Sequence, residues 1–184
     1  MEVSCLDSTE DKIISATIKW IKYDDYEKLS MRKLAAKIGM TTGAIYKYFP
    51  NKEELFYQVS IKLSQQLAEG LMVDQIISAK VQLLSIAGKL CLLSQKQPQL
   101  VNFLFFNSSL KNFYHNTNHD FEFYNQVMEL VHQVNQGGIT NQQFFTQIWS
   151  FIQGYSLLIL KGATNYDSTL VERTLNEMIR GSQK

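Results

Sequence analysis

The chain has few of the residues that interrupt helices. Its 184 residues include 2 prolines and 9 glycines, about half the roughly 12% share of an average globular protein. This composition favours long helices over many short strands. Its 2 cysteines, Cys5 and Cys91, are too few for the disulfide framework of a small secreted scaffold.

Neither sign of charge dominates the composition. The 18 Lys and Arg residues nearly balance the 17 Asp and Glu residues, and the formal net charge is +1. This balance excludes a protein that binds nucleic acid through its total charge, so a nucleic-acid site must depend on where the charges lie. The hydrophobic share of 45% excludes an intrinsically disordered chain.

The sequence also lacks the pattern of a membrane span. Its longest run without Asp, Glu, Lys or Arg covers 130–160, and this run contains eight Asn and Gln residues, too many for a helix in lipid. The first residues contain acids where a secretory signal has a basic start and an apolar core. We therefore expect a cytoplasmic protein without a membrane partner.

Hydrophobic spacing in the N-terminal third predicts four helices. The first covers about 9–23, with Ser8 or Thr9 as its N-cap. Ser30 begins a second helix of about eight residues, and Gly39 follows it where a left-handed residue is expected. Thr41 or Thr42 caps a short third helix, and Pro50 closes it. Asn51 and Glu54 form a capping-box pattern for a fourth helix, which continues beyond residue 60.

Longer periodic segments follow Gly70, and none alternates with period two for long enough to form a strand. The predicted helices cover about 73–96, 98–113, 120–135, 141–163 and 168–180. The predicted architecture is all-α, with a three-helix helix-turn-helix domain at 1–52 and a helical domain at 53–184.

Positive charge is concentrated on the second and third predicted helices. Between Lys28 and Lys52 there are six basic residues and no acidic residue. Gly39 separates two short helices, and the second begins with hydroxyl and glycine residues. This arrangement is typical of a helix-turn-helix that inserts its second helix into the DNA major groove. The alternative is an ordinary helical hairpin with a solvated basic face.

Residues 10–58 resemble the DNA-binding domain of the tetracycline-repressor (TetR) family of transcriptional regulators. The resemblance rests on Ser30-Met31-Arg32-Lys33-Leu34-Ala35, Ile38-Gly39, Gly43-Ala44-Ile45-Tyr46, Tyr48-Phe49 and Asn51-Lys52-Glu53-Glu54-Leu55. It implies a homodimer that binds a palindromic double-stranded operator. It also implies a divergent helical C-terminal domain for ligand binding and dimerisation, and release of DNA when a small ligand binds.

The resemblance assigns DNA contacts to residues of three helices. Ser30, Met31 and Arg32 match the start of the second helix, which touches phosphates, and Lys52 matches a lysine that clamps a phosphate. The recognition helix is matched by Thr41, Thr42, Gly43, Tyr46, Lys47 and Tyr48. Two residues depart from the family pattern: Asp25 replaces a glycine, where we expect left-handed geometry, and Lys33 replaces an acid, which adds positive charge toward DNA.

Two further sites are expected in the C-terminal domain. The fourth helix and the aromatic residues of the later helices supply candidates for a pocket that holds a small, largely apolar ligand. These candidates are Leu63, Leu67, Phe103, Phe106, Phe113, Tyr124, Phe145 and Trp149. The last two helices have apolar stripes that predict a four-helix dimer interface. Its candidates are Ile148, Ile152, Tyr155, Val171, Leu175 and Met178. Alternatively, both stripes serve only the core of one chain.

No pattern in the sequence indicates catalysis, a cofactor or a metal. His115 and His119 have the spacing of two metal ligands on one helix face, but the Asn-Thr-Asn between them favours a loop. Gly154-Tyr155-Ser156 begins like a nucleophile elbow, yet Leu158 replaces the second glycine.

The main hypothesis is a ligand-responsive repressor. Two alternatives remain: a DNA-binding regulator controlled by a protein partner, and a helical binding protein without DNA function.

Overall fold

The computed structural model describes residues 8–71, 77–107 and 120–182, and these residues form helices and connecting turns without strands. The all-α prediction is confirmed. In chain order the helices are α1 (Thr9–Tyr23), a 3₁₀ turn (Tyr26–Lys28), α2 (Met31–Lys37), α3 (Thr42–Tyr46), α4 (Lys52–Leu71), α5 (Ala79–Lys96), α6 (Pro98–Phe106), α7 (Glu122–Val134), α8 (Asn141–Leu160) and α9 (Ser168–Gly181).

The first three α-helices begin at residues whose side chains cap them. Ser8 forms a reciprocal capping box with Asp11, in which the Asp11 N–H donates to Ser8 Oγ at 3.0 Å. Ser30 Oγ accepts from the Lys33 N–H, and Thr41 Oγ1 accepts from the Ala44 N–H. The structure therefore selects Ser8 and Thr41 where the sequence left two candidates.

The turns between these helices follow the predicted pattern with one exception. Gly39 has φ +69°, a conformation that glycine adopts without steric cost. Asn51 Oδ1 accepts from the Glu54 N–H at 2.7 Å, as the capping pattern predicts. Asp25 is not left-handed, since its φ is −63°. Its carboxylate instead caps the 3₁₀ turn by accepting from the Glu27 N–H.

Helices α5 to α9 lie where the periodicity placed them, with differences at their ends. Helix α5 begins at Ala79 rather than near residue 73, and α6 ends at Phe106 rather than near residue 113, since Asn107 has an extended backbone conformation. Residues 72–76 and 108–113 lie outside the described residues. Helix α8 ends at Leu160 rather than at residue 163. Gly162 has φ +69°, and the Ala163 N–H donates to the Leu158 carbonyl, so the chain turns away from the helix there.

Buried apolar side chains form two clusters. The N-terminal cluster consists of Ile13, Ile18, Ile21, Tyr26, Leu29, Met31, Leu34, Ala35, Ile45, Phe49, Leu55, Phe56, Val59, Leu63, Leu100 and Phe103. The C-terminal cluster combines residues of α4 to α9, including Leu90, Val101, Phe105, Phe144, Phe145, Ile148, Ile152, Tyr155, Val171, Leu175 and Ile179.

Helix α6 contributes to both clusters. Leu100 and Phe103 lie in the N-terminal cluster, whereas Val101 and Phe105 lie in the C-terminal cluster. The Phe103 ring makes edge contacts with Tyr26 and Phe56, at centroid distances of 5.3 and 5.2 Å. The domain boundary after residue 52 stays a prediction. Because α6 packs in both clusters, a movement of this helix displaces side chains in both.

Candidate nucleic-acid interface

Helix α3 is anchored by two apolar residues, and the residues between them face solvent. Ile45 and Phe49 are fully buried in the N-terminal cluster. Tyr46 and Tyr48 are 49% and 45% exposed, and Lys47 is exposed as well. The Phe49 N–H donates to the Ile45 carbonyl at 3.0 Å, which continues the turn beyond the end of the helix. This short element therefore presents two phenols and an ammonium group outward from a fixed base.

The other sequence-predicted DNA contacts differ in exposure. Ser30, Arg32, Thr41 and Gly43 are exposed, and Thr42 and Lys52 are half-buried. Met31 is an exception because its side chain is 5% exposed and packs in the N-terminal cluster. Its side chain is not available to a phosphate. Its backbone N–H remains at the start of α2, where the first N–H groups of a helix have no partner within the helix.

Contacts within the protein hold four of the six basic residues of the helix-turn-helix. Lys28 lies 3.7 Å from Asp25, and the Lys33 ammonium donates to the Lys28 carbonyl at 3.1 Å. Lys37 lies 4.6 Å from the centre of the Trp20 ring and 3.9 Å from Asp24. Sequence reasoning missed this role of α1, because a lysine that contacts an aromatic ring of another helix leaves no local pattern.

Lys52 is the fourth basic residue held within the protein. Its Nζ donates to the Glu27 carbonyl at 3.2 Å and lies 5.0 Å from the centre of the Phe56 ring. Burial lowers the pKa of Lys52, and the nearby carboxylates of Glu53, Glu27 and Asp25 oppose that shift. Of the six basic residues of the helix-turn-helix, Arg32 and Lys47 have no hydrogen-bond or ion-pair partner within the part of the chain that the structure describes. These two therefore supply the positive charge that is most accessible to a polyanion.

The sequence-predicted ligand residues do not form one group. Leu63 and Phe103 lie in the N-terminal cluster, and Phe106 is 37% exposed at the end of α6. Phe113 lies outside the described residues. Leu67, Tyr124, Phe145 and Trp149 belong to the C-terminal cluster or pack against it.

The structure brings three of the predicted ligand residues together. Phe145 stacks on Trp149 at 5.5 Å and meets the edge of Tyr124 at 5.1 Å. Phe105 of α6 meets Trp149 at 5.4 Å. The side chains around Phe145 fill the space between them and leave no room for a water molecule. This group of rings is therefore a closed part of the core.

Five of the six predicted interface residues lie inside the chain's own core. Ile148, Ile152, Tyr155, Val171 and Leu175 are all 5% exposed or less. Helices α8 and α9 pack against α5 through this face, so these side chains cannot also contact a second copy. Met178 is half-buried. For these side chains the structure agrees with the alternative that the stripes serve one core.

A different face of α8 and α9 exposes apolar residues. Leu157, Leu158 and Leu170 are 40%, 50% and 43% exposed. Gly154 lies on the same side of α8, and a side chain added there would meet no atom within 4 Å. This face, rather than the buried stripe, is the surface of the two helices that is open to a partner.

The described residues show no group of three metal-ligating side chains, and His115 and His119 lie outside them. Burial raises the pKa of Cys91 to about 12, so its neutral thiol acts as a core residue. None of the helices in the described ranges is long and apolar enough to cross a bilayer.

Comparisons with known proteins agree with this geometry. Residues 13–59 match the family model described as bacterial regulatory proteins, tetR family. This match covers most of α1, all of α2 and α3, and the start of α4. No curated protein matches the chain.

Solved structures share the fold over nearly the whole chain. A TetR-family transcriptional regulator from Haemophilus influenzae is 19% identical, covers 93% of this chain and 94% of its own, and has a TM-score of 0.62. A TetR family transcription regulator from Marinobacter aquaeolei is 15% identical, covers 93% of both chains, and has a TM-score of 0.66. The fatty acid degradation regulator FadR from Bacillus halodurans is 18% identical, covers 92% and 93%, and has a TM-score of 0.65.

At these identities the structures show the fold alone, whereas the family model matches the sequence of the helix-turn-helix itself. The two findings confirm the resemblance drawn from the sequence. Residues 13–59 of this chain match the tetR family of bacterial regulatory proteins, and the whole chain has the fold of the TetR-family transcriptional regulators.

Proposed function

We propose that the protein is a cytoplasmic transcriptional repressor that binds a palindromic operator as a homodimer and releases it when a small apolar ligand binds. The observation that supports DNA binding most strongly is the geometry of α3. Its buried Ile45 fixes a five-residue helix from which Tyr46 and Lys47 face outward. A helix in the major groove needs such a rigid base and such polar groups.

The exposed groups divide into two roles. Arg32 and Lys47 supply charge to phosphates, together with the N–H groups at the start of α2. Thr41, Thr42 and Gly43 lie at the start of α3, where the backbone can approach the groove closely. Tyr46 and Tyr48 are the large side chains that reach base edges or sugars.

The dimer forms through the exposed face of α8 and α9. Leu157, Leu158 and Leu170 supply its apolar surface, and Gly154 permits a second helix to approach closely. Two copies read one operator when their recognition helices lie about 34 Å apart, one turn of B-DNA. The buried stripe that includes Leu175 packs in the C-terminal cluster and thereby holds the two helices that present this face.

The ligand binds among Tyr124, Phe145 and Trp149 and separates their rings. Because this site is closed in the structure, binding must displace side chains of the C-terminal cluster. The contact between Trp149 and Phe105 transmits this displacement to α6, which also packs in the N-terminal cluster. A ligand that lowers operator affinity 100-fold must prefer the non-binding conformation by about 2.7 kcal/mol.

Selection from a library of random duplexes tests DNA binding. We expect enrichment of a palindrome whose half-sites are centred about 10 base pairs apart or a multiple of that distance. Binding of all duplexes with equal affinity would contradict the assignment of Tyr46 and Tyr48 to sequence recognition.

Titration of candidate apolar ligands, with and without the selected operator, tests release. We expect the operator to weaken ligand binding by the same factor by which the ligand weakens operator binding. Equal ligand affinities in both titrations would contradict release by that ligand and would leave the DNA-binding proposal unchanged.

A further inference from the structure

An open groove lies where the 3₁₀ turn, the start of α4 and the end of α6 meet. It encloses about 270 Å³ and is separate from the closed group of rings around Phe145. Three aromatic residues, two glutamates, one lysine and one asparagine line it: Tyr26, Phe56, Phe106, Glu27, Glu53, Lys52 and Asn107.

The groove already contains a cation, the ammonium group of Lys52. That group lies 5.0 Å from the centre of the Phe56 ring and donates to the Glu27 carbonyl. Aromatic faces attract cations, and a partly desolvated ammonium gains the most from such a contact. Without the lysine, the two carboxylates would give the lining a charge of −2. Rings and charges both favour a positively charged occupant.

The lysine cannot occupy two places. The resemblance to the TetR family assigns its ammonium to a DNA phosphate, whereas in the structure the ammonium lies in the groove. Its movement to DNA would leave Phe56, Glu27 and Glu53 without their cation. A second cation that enters the groove would replace it there and favour the DNA-bound position of Lys52.

We propose that this groove is a binding site for a small organic ammonium ion, which competes with Lys52 in the free protein and binds cooperatively with operator DNA. The volume is slightly below the roughly 300 Å³ at which pockets for drug-sized ligands begin, so the ligand has a short apolar chain. It is a monocation because it replaces the single charge of Lys52. The binding site rests on the groove alone, and only the cooperativity rests on the proposed function.

The first experiment needs no DNA. Calorimetry measures the affinity of n-butylammonium for the protein and for Lys52→Ala, at constant ionic strength with NaCl as the balancing salt. We expect Lys52→Ala to bind about tenfold more tightly, because the internal competitor is gone and the lining is more negative. Lys52→Met, which keeps the apolar stem, should also bind more tightly than the unaltered protein.

Two further variants locate the site. Lys62→Ala removes the same charge from an exposed position on the same helix and should leave affinity unchanged. Adding Phe106→Ala to Lys52→Ala should remove most of the gain. Equal affinities for the unaltered protein, Lys52→Ala and Lys52→Met would overturn the site, as would an equal gain in Lys62→Ala.

The second experiment adds the operator obtained by selection. We expect it to raise the affinity of the unaltered protein for n-butylammonium and to leave that of Lys52→Ala unchanged. An operator that leaves the affinity of the unaltered protein unchanged, or lowers it, would overturn the cooperativity. Failure to obtain any operator would contradict the proposed function, while the first experiment would still decide the site.

Discussion

Helices α1 to α3 and helices α5 to α7 are specified in different ways. Helices α1, α2 and α3 begin at Ser8, Ser30 and Thr41, whose side chains cap backbone N–H groups. Helices α8 and α9 also begin at side-chain caps, Thr140 and Asp167, whereas helices α5, α6 and α7 begin without one. The first group is therefore determined by local signals, whereas the second depends on packing.

The two shortest α-helices depend most on their caps. Helices α2 and α3 have 7 and 5 residues, far below the roughly 12–15 that an isolated helix needs. Caps fix their ends and therefore the positions of Arg32 and Tyr46. Helix α5 has 18 residues and gains its stability from the C-terminal cluster. The match to the family model begins within α1, covers α2 and α3, and ends within α4.

The largest expected effect distinguishes a substitution on the buried face of α8 and α9 from a substitution on their exposed face. Leu175→Glu places a carboxylate at a position that is 0% exposed, which should cost several kcal/mol and unfold the chain. Leu158→Glu, at a position that is 50% exposed, should yield a folded monomer. Circular dichroism and sedimentation distinguish the two outcomes.

The unaltered protein and Val81→Glu, which adds a carboxylate at a position of α5 that is 47% exposed, are the comparison samples for these measurements. If Leu158→Glu remains a dimer, the dimer does not use this face. If Leu175→Glu remains a folded dimer, the account of the C-terminal cluster is wrong.

The next effect concerns the helix that joins the two clusters. Phe103→Ala removes a ring that is 0% exposed from the group with Tyr26 and Phe56, and it should lower the free energy of unfolding by about 3–5 kcal/mol. Phe106→Ala, from the partly exposed neighbour in α6, should cost less than half as much. Urea denaturation of both variants measures the difference, and equal losses would mean that α6 is not held by the N-terminal cluster.

A smaller effect tests the capping comparison with one substitution at two sites. Ser30→Ala removes an acceptor that binds the Lys33 N–H and should cost about 1 kcal/mol. Ser78→Ala changes the N-cap of α5, where the side chain makes no capping hydrogen bond, and should cost less than about 0.5 kcal/mol. Denaturation curves that rank the two variants in the opposite order would remove the basis of the comparison.

The sequence was sufficient for features that depend on neighbouring residues. It predicted the bounds of α1, the caps at Ser30 and Asn51, and the left-handed Gly39, because each depends on chemistry within four or five positions. It overextended α8 to residue 163, since Gly162 can also continue a helix and only the turn in the structure shows that it does not.

Features that depend on a contact between distant elements could not be predicted. The stripe that includes Ile152 and Leu175 predicts burial, but an apolar stripe has the same pattern whether it faces its own chain or a second copy. The basic residues between Lys28 and Lys52 form a pattern in the sequence, but that pattern does not predict the contact between Lys37 and Trp20. Phe103 and Phe105 are two positions apart on α6, and periodicity does not show that they belong to different clusters.

The salt dependence of operator binding tests the central claim, that Lys47 faces a DNA phosphate whereas Lys37 supports the fold. Each phosphate contact contributes about 0.9 to the slope of log K against log salt concentration. Lys47→Ala should therefore reduce the slope by about two units for a dimer, one for each half-site. Lys37→Met, which removes an ammonium that lies over Trp20, should leave the slope unchanged. An unchanged slope for Lys47→Ala, or an equal reduction for Lys37→Met, would contradict the proposed interface.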